Sequence, residues 1–232
     1  MAFKLLFHFH QGKAQKIIRF ISFQGKRQEE NMVDNSDIFF GEDPFKIFKR
    51  WIEEAVNTEI NDPDAIALST VDSAGMPNVR MVLLREIEDS SFVFYTNYGS
   101  VKSREISNNQ LAAFVWHSKS LRRQIRVRGQ VEKENGTMAD LYYQSRSLKS
   151  RVGAWASVQS QPLDSRSHLM EKVEYFEKKY GDQPDRPPFW GGWRIKPLEI
   201  EFWADGEARL HDRFRWSRAT LEDTWDVQRL NP

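Results

Sequence analysis

The chain has 232 residues, a formal net charge of +1 and no cysteine. The near-neutral balance excludes a global electrostatic pull toward nucleic acid or membrane, so any anion site must be local, and the missing thiols exclude disulfides, cysteine nucleophiles and cysteine metal sites. The 40% hydrophobic content suffices for a sizeable core, while no apolar run reaches the roughly 18 residues a membrane helix needs.

Residues 1–31 carry Lys4, Lys13, Lys16, Arg19, Lys26 and Arg27 with no acid before Glu29. A mitochondrial transit peptide is one reading of that pattern, weakened by few serines and many lysines. His8 and His10 interrupt the apolar stretch and argue against a secretory signal. The preferred reading takes Met32 as the start, with residues 1–36 a doubtful leader or disordered N-terminus. A single domain is then expected over residues 37–232, in the cytoplasm, with mitochondrial targeting as the alternative.

Asp43-Pro44 predicts a helix start, an N-cap followed by proline at the first position. Phe45, Phe48, Trp51, Ile52, Ala55 and Val56 recur at helical spacing to about Asn57. Strands are expected at Ala65–Val71 and Asn78–Glu86, joined by a hairpin at Asp72-Ser73-Ala74-Gly75, and at Ser91–Thr96. A short helix from Gly99 to Asn108, with Ser100 as its candidate cap, precedes strands at Leu111–His117 and Arg123–Lys133. Helical pieces follow from Thr137 to Ser160. An amphipathic helix over Asp164–Tyr180 ends at Gly181. Arg194–Trp203 and Arg209–Ser217 form a last strand pair, and Trp225–Leu230 adds an edge. Strands joined by short turns, with helices between, predict an α+β chain, mainly β: one antiparallel barrel decorated by peripheral helices. Strand and helix do not alternate as a doubly wound fold requires.

Several segments are suited to anions. On a strand, Arg209, His211 and Arg213 share a face, giving an electropositive row; a solvated face with Asp212 pairing locally is the bland alternative. In Arg80-Met81-Val82-Leu83-Leu84-Arg85 the arginines are an odd number of positions apart, so a continuous strand points them to opposite faces. Gly99-Ser100-Val101-Lys102 puts free amides and a lysine at a helix N-terminus, a phosphate-binding arrangement; capping by Ser100 is the alternative. Tyr142, Arg146 and Ser150, at i, i+4 and i+8, share a face on a continuous helix and make a candidate phosphate clamp. Gln159 and Ser160 offer further polar groups. Gln124, Arg126, Arg128 and Gln130 line one strand face without interleaved aromatics, which reads as solvated rather than as a nucleic-acid surface. The histidines show no metal spacing. With no dinucleotide or P-loop fingerprint and no evident nucleophile, demanding chemistry requires an organic cofactor.

In order along the chain, Arg80–Arg85, Phe94–Asn97, Arg123–Val127, Gly153–Ser157, Gln159-Ser160, Phe189–Gly192, Glu201–Trp203, Arg209–Arg213 and Arg229–Pro232 resemble the pyridoxamine 5′-phosphate oxidase family. The resemblance covers about Asp43 to Pro232. It implies a split β-barrel that binds FMN at a homodimer interface. It also implies oxidation of pyridoxamine and pyridoxine 5′-phosphates to pyridoxal 5′-phosphate by oxygen, releasing hydrogen peroxide, and ammonia from the amine. Neither nucleic acid nor membrane is an expected partner. Arg80, Lys102, Gln159 and Ser160 would hold the FMN phosphate; Met81, Val82, Leu83, Leu84, Arg85, Tyr95, Thr96, Gln124, Trp203 and Arg213 would surround the flavin. Arg85, Tyr142, Arg146 and Ser150 would bind the substrate phosphate, with Arg209 and His211 as catalytic residues over the substrate. Arg85 stands where the family usually has lysine, and Val101 where it usually has arginine, which predicts somewhat weaker FMN binding. Another flavin split-barrel oxidase or reductase, and a non-catalytic carrier of pyridoxal phosphate or FMN, stay open as alternatives.

Overall fold

A computed structural model describes residues 38, 39, 41 and 43–232; the readings of residues 1–36 lie outside them. Helix α1 (Pro44–Val56) begins as the sequence predicts, the Asp43 carboxylate accepting from the Phe45 amide at 2.9 Å. Its apolar face, Phe45, Ile47, Phe48, Trp51 and Ala55, is buried. Phe48 meets Phe92, Phe114 and Trp116, and Trp51 meets Phe202 edge-on at 5.2 Å. Full burial of each of these two rings is worth about 2–3 kcal/mol, so α1 is anchored into the barrel interior rather than laid on its surface.

Among the described residues, nine strands make one antiparallel sheet. β1 (Ala65–Val71) and β2 (Pro77–Leu83) form the expected hairpin, with the Asp72 carboxylate accepting from the amides of Ala74 and Met76. β3 (Glu86–Ile87), β4 (Phe92–Asn97), β5 (Leu111–Ser118), β6 (Arg123–Glu134) and β7 (Trp190–Ala204) follow, in the spatial order β2-β1-β5-β6-β7-β4-β3. β8 (Asp212–Ser217) pairs with the second half of β7, and β9 (Asp226–Leu230) pairs with β8. The sheet curls until the end of β2 meets β4, where the Arg85 amide donates to the Val93 carbonyl at 2.8 Å. Strand alternation produces the filling: Ile125, Val127 and Val131 of β6 are buried, while Arg126, Arg128 and Gln130 face out.

The remaining helices are α2 (Val101–Asn109), α3 (Thr137–Ser145), α4 (Leu148–Ala156) and α5 (Arg166–Tyr180). α5 buries no residue fully, contrary to its amphipathic pattern; Phe176 and Tyr180 instead lie against the Trp155 ring of α4.

Three local expectations are corrected. The strand expected over Asn78–Glu86 breaks after Leu83, because the Leu84 amide donates back to the Asp64 carbonyl and the Arg85 amide across to β4. The helix expected to carry Tyr142 through Ser150 breaks at Arg146, which is extended, and Ser147 caps the next helix by accepting from the Ser150 amide. The strand expected from Arg209 starts only at Asp212. Residues Glu207–Arg209 form a 3-10 turn, with Ala208 and Arg209 at φ of 52° and 68°. That turn folds tightly on Gly206, where a Cβ would lie 1.9 Å from the Leu210 carbonyl oxygen. Arg209, His211 and Arg213 therefore do not form a strand-face row.

Candidate active site

A cavity of about 820 Å³ opens between the end of β2, β4, the start of α2, the α3–α4 break and the first residue of β7. Its charge is one-sided: among the described residues Arg80, Arg85, Lys102 and Arg146 line it, and no Asp or Glu does. Arg80 and Arg85 both reach it, because the break after Leu83 cancels the parity that would have separated them.

Two of the four cations are already paired. Arg80 bonds the Glu105 carboxylate at 3.2 Å and the Thr70 hydroxyl, while Glu105 also accepts from Thr70 and Asn78. Arg85 pairs with Asp64 at 2.5 Å. Lys102 and Arg146 are different. Lys102 is buried, its ammonium donating only to Thr96 Oγ1 at 3.1 Å and Ser100 Oγ at 3.3 Å. Burial first, then the nearby Arg80 charge, push its pKa down to about 8. Arg146 lies over the Trp190 ring at 4.8 Å, and burial lowers its pKa too. Its Nη1 is buried without a hydrogen-bond partner. Such desolvated cations are satisfied by an anion entering from the cavity.

Ser100 does not cap α2 through its side chain; its hydroxyl serves Lys102 and Ser103, and Asn97 Oδ1 takes the Gly99 amide at 2.7 Å. Thr96 donates to Gln159 Oε1 at 3.2 Å, which brings Gln159 to the same wall. Tyr142 and Ser150 line the cavity with Arg146 although their helix is broken. Met81, Val82, Leu83, Tyr95 and Thr96 line it as well. Tyr95 stacks on Tyr142 at 4.2 Å and donates to Glu86 at 2.5 Å; burial, then that carboxylate, raise its pKa.

The remaining predicted residues lie elsewhere. Leu84 is buried in the core, and Ser160 is exposed at the surface, with φ of 69°. Gln124, Trp203 and Arg213 meet at the far end of β7, His211 lies against Trp203, and Arg209 is in the turn that precedes them. Trp190 stands in the cavity and Trp203 thirteen residues on, a path of about 40 Å along a strand at about 3.3 Å per residue. This second cluster is ordered by its own contacts. Buried Glu201 takes Arg213 through Nε and Nη2 at 3.0 and 2.8 Å, and also Arg126. Arg213 Nη1 reaches the Asn231 carbonyl at 2.9 Å. His211 packs on Trp203 at 4.7 Å, and its Nδ1 lies 3.2 Å from the Gly206 amide nitrogen and 3.3 Å from a carboxylate oxygen of Asp205. Arg209 is exposed and has no bonding partner among the described residues.

Sequence reasoning gave no role to Trp190, Glu86, Glu105 or Glu201. Trp190 was visible only as the aromatic before Gly191-Gly192. Glu201 was visible only within the Glu201–Trp203 motif, and Glu105 carried no signal, because its partners Thr70, Asn78 and Arg80 are remote in sequence.

A curled antiparallel barrel with a cationic cavity on its flank defines a split-barrel protein built to take anionic ligands. The pyridoxamine 5′-phosphate oxidase family profile matches residues 52–204, and the pyridoxine 5′-phosphate oxidase C-terminal dimerisation region matches residues 190–232. The pyridoxine/pyridoxamine 5′-phosphate oxidase of Cereibacter sphaeroides is 64% identical over 200 residues, covering 86% of this chain and 100% of the relative. That of a Ruegeria species is 63% identical over 201 residues, covering 87% and 100%. The crystal structure of PhzG from Burkholderia lata, in complex with tetrahydrophenazine-1-carboxylic acid, superposes with a TM-score of 0.80 at 28% identity, covering 88% of this chain and 98% of that one. The chain belongs to the pyridoxamine 5′-phosphate oxidase family. No described helix is long and apolar enough to cross a membrane.

Proposed function

We propose that the protein oxidises pyridoxamine 5′-phosphate and pyridoxine 5′-phosphate to pyridoxal 5′-phosphate, with FMN as cofactor and oxygen as final electron acceptor. The observation that carries this reading is the cavity lined by four cations and no carboxylate, two of the cations lacking a carboxylate partner. That donor set fits two phosphate-bearing ligands. FMN, when bound, supplies the two-electron acceptor that no side chain here can provide. Arg80, Lys102 and Gln159 would hold its phosphate, with Ser160 nearby in sequence. Tyr142, Arg146 and Ser150 would hold the substrate phosphate, with Arg85 over the Tyr142 ring at 5.9 Å. Fixing the phosphate end restricts how the reacting carbon can lie, which is most of what the protein must do. For the amine, pyridoxamine 5′-phosphate, oxygen and water yield pyridoxal 5′-phosphate, ammonia and hydrogen peroxide; for the alcohol, water is not consumed and ammonia is not formed.

Arg209, His211, Arg213, Trp203 and Gln124 cannot close over this cavity from the far end of the same β7. We assign them to the cavity of a second copy, which would make the homodimer a chemical requirement with FMN at the interface. The match to a dimerisation region over residues 190–232 supports this, since that segment contains all of the far cluster except Gln124. From the partner, Arg209 would position the substrate, and His211 would hydrogen-bond it or move a proton. The site belongs to the unit read here as one domain over residues 37–232, in the cytoplasm.

The phenazine-type alternative has a good superposition behind it, but the 60–64% identical relatives over their full length favour the vitamin B6 phosphates. The test is a visible absorption spectrum of the purified protein with FMN, before and after anaerobic pyridoxamine 5′-phosphate. Bleaching of the flavin band supports the reading. Bound flavin that stays oxidised would assign the protein to other flavin chemistry or to storage.

A further inference from the structure

We propose that Trp190 is a positioning residue that sets the preference for phosphorylated over unphosphorylated substrate, by holding Arg146 as a desolvated cation with no carboxylate to satisfy it. This rests on the reading of Arg146 as part of the substrate-phosphate clamp.

Of the four cavity cations, Arg80 and Arg85 each have a carboxylate, and Lys102 has two hydroxyls. Arg146 has no described carboxylate within ion-pair distance; what supports it is the indole face 4.8 Å from its guanidinium carbon. Attraction to an aromatic face stabilises the charge without occupying its N–H donors. Nη1 accordingly remains buried and unbonded. A guanidinium kept out of water yet not neutralised gains more from an incoming dianion than a hydrated one does, because its desolvation has already occurred.

The shelf beneath it is rigid. Trp190 is only 5% exposed. Its ring lies parallel to Tyr95 within 8° and meets Tyr143 edge-on at 5.2 Å. Its carbonyl accepts from Arg186 at 2.7 Å, its amide donates to the Pro187 carbonyl at 3.0 Å, and Arg186 is itself tied to Asp140 and Asn135. The next residue, Gly191, allows the Tyr98 ring to close in behind; a Cβ there would lie 2.1 Å from the Tyr98 hydroxyl. Arg146 sits on an immobile ring, while its own backbone is in the extended break between α3 and α4. Without the ring, no other contact among the described residues keeps the guanidinium at the cavity wall.

The test is a double-mutant cycle of Trp190→Leu and Arg146→Ala, with Trp190→Phe as the conservative variant, using FMN-loaded enzyme and both pyridoxamine 5′-phosphate and unphosphorylated pyridoxamine. Trp190→Leu is expected to raise KM for the phosphorylated amine on the order of tenfold, with kcat and flavin content near wild type. The unphosphorylated amine, which lacks the group that Arg146 takes, should lose much less in kcat/KM, and Trp190→Phe should recover most of the loss. In the Arg146→Ala background, Trp190→Leu should add nothing further. A merely structural tryptophan would lower kcat, flavin content and melting temperature together, and its effect would add to that of Arg146→Ala; either result overturns the inference. If wild type itself fails to turn over, the oxidase reading fails instead. The same cycle, read as calorimetric affinity for pyridoxal 5′-phosphate, then still decides the role of Trp190: equal affinities of Arg146→Ala and the double variant support it, and additive losses refute it.

Discussion

Lys102→Met should stabilise the flavin-free protein at neutral pH while weakening its response to phosphate. Lys102 titrates at about 8 in the fold, against an ordinary value of 10.5. Below pH 8 the group is charged in both folded and unfolded chains, and the fold carries the full cost of burying that charge, about 3 kcal/mol at about 1.4 kcal/mol per pH unit. Between pH 8 and 10.5 the folded protein has released the proton and the unfolded chain has not, so the unfolded state binds more protons and this contribution to stability rises with pH. Methionine keeps the stem and removes the charge. It forfeits the bonds to Thr96 and Ser100, about 1 kcal/mol each, but both hydroxyls retain other partners. The net gain at pH 7 is therefore about 1 kcal/mol, or roughly 2–4 °C for a chain of this size. Melting curves of wild type and variant from pH 7 to pH 10 test it: the advantage of the variant should shrink across that range and reverse at the top. Added phosphate should raise the wild-type midpoint at pH 7 by more than the variant's, since only the Arg146 clamp remains in the variant. A variant that is less stable at pH 7, by a margin that does not change with pH, would refute the account of Lys102 as a strained, anion-seeking cation.

Glu201→Gln should lower stability by about 2–3 kcal/mol, less than a fully buried pair because Arg126 and Arg213 are partly exposed; it should also weaken flavin binding, read by fluorescence titration, since the charge that holds Arg213 through two bonds to one carboxylate oxygen is removed. Gly191→Ala drives a methyl into the Tyr98 hydroxyl, which is pinned by the Glu134 and Gly192 carbonyls, and should cost about 1–3 kcal/mol by chemical denaturation. An Arg80→Ala, Lys102→Met chain and an Arg209→Ala, Arg213→Ala chain should each be inactive alone. Unfolded and refolded together they should recover about a quarter of wild-type activity, because half of randomly paired dimers are mixed and each holds one intact site; no recovery would rule out a site shared between copies. Val101→Arg should tighten FMN binding, and an unchanged dissociation constant would count against the weaker-binding expectation.

Much of this architecture follows from local sequence. Asp43-Pro44 dictates a helix start because the carboxylate satisfies an amide that proline's missing N–H leaves as the first in need of a partner. Period-two alternation in Arg123–Glu134 dictates a half-buried strand, and Asp72 writes its hairpin through its own side-chain bonds. The ordered motifs also mark the family and most of the cavity wall. Tertiary structure alone decided three things. It bent the chain at Leu84–Arg85 through bonds to Asp64 and Val93, residues that no local pattern links to them, and so turned both arginines to one cavity. It folded Ala208 and Arg209 into left-handed backbone that side-chain alternation cannot announce, removing the strand row. And it set Trp190 and Trp203 at opposite ends of one long strand, so that side chains suited to one ligand end in two clusters. Those outcomes depend on contacts between segments many tens of residues apart. Periodicity records which way a side chain faces along its own element, and holds no information about which element it will meet.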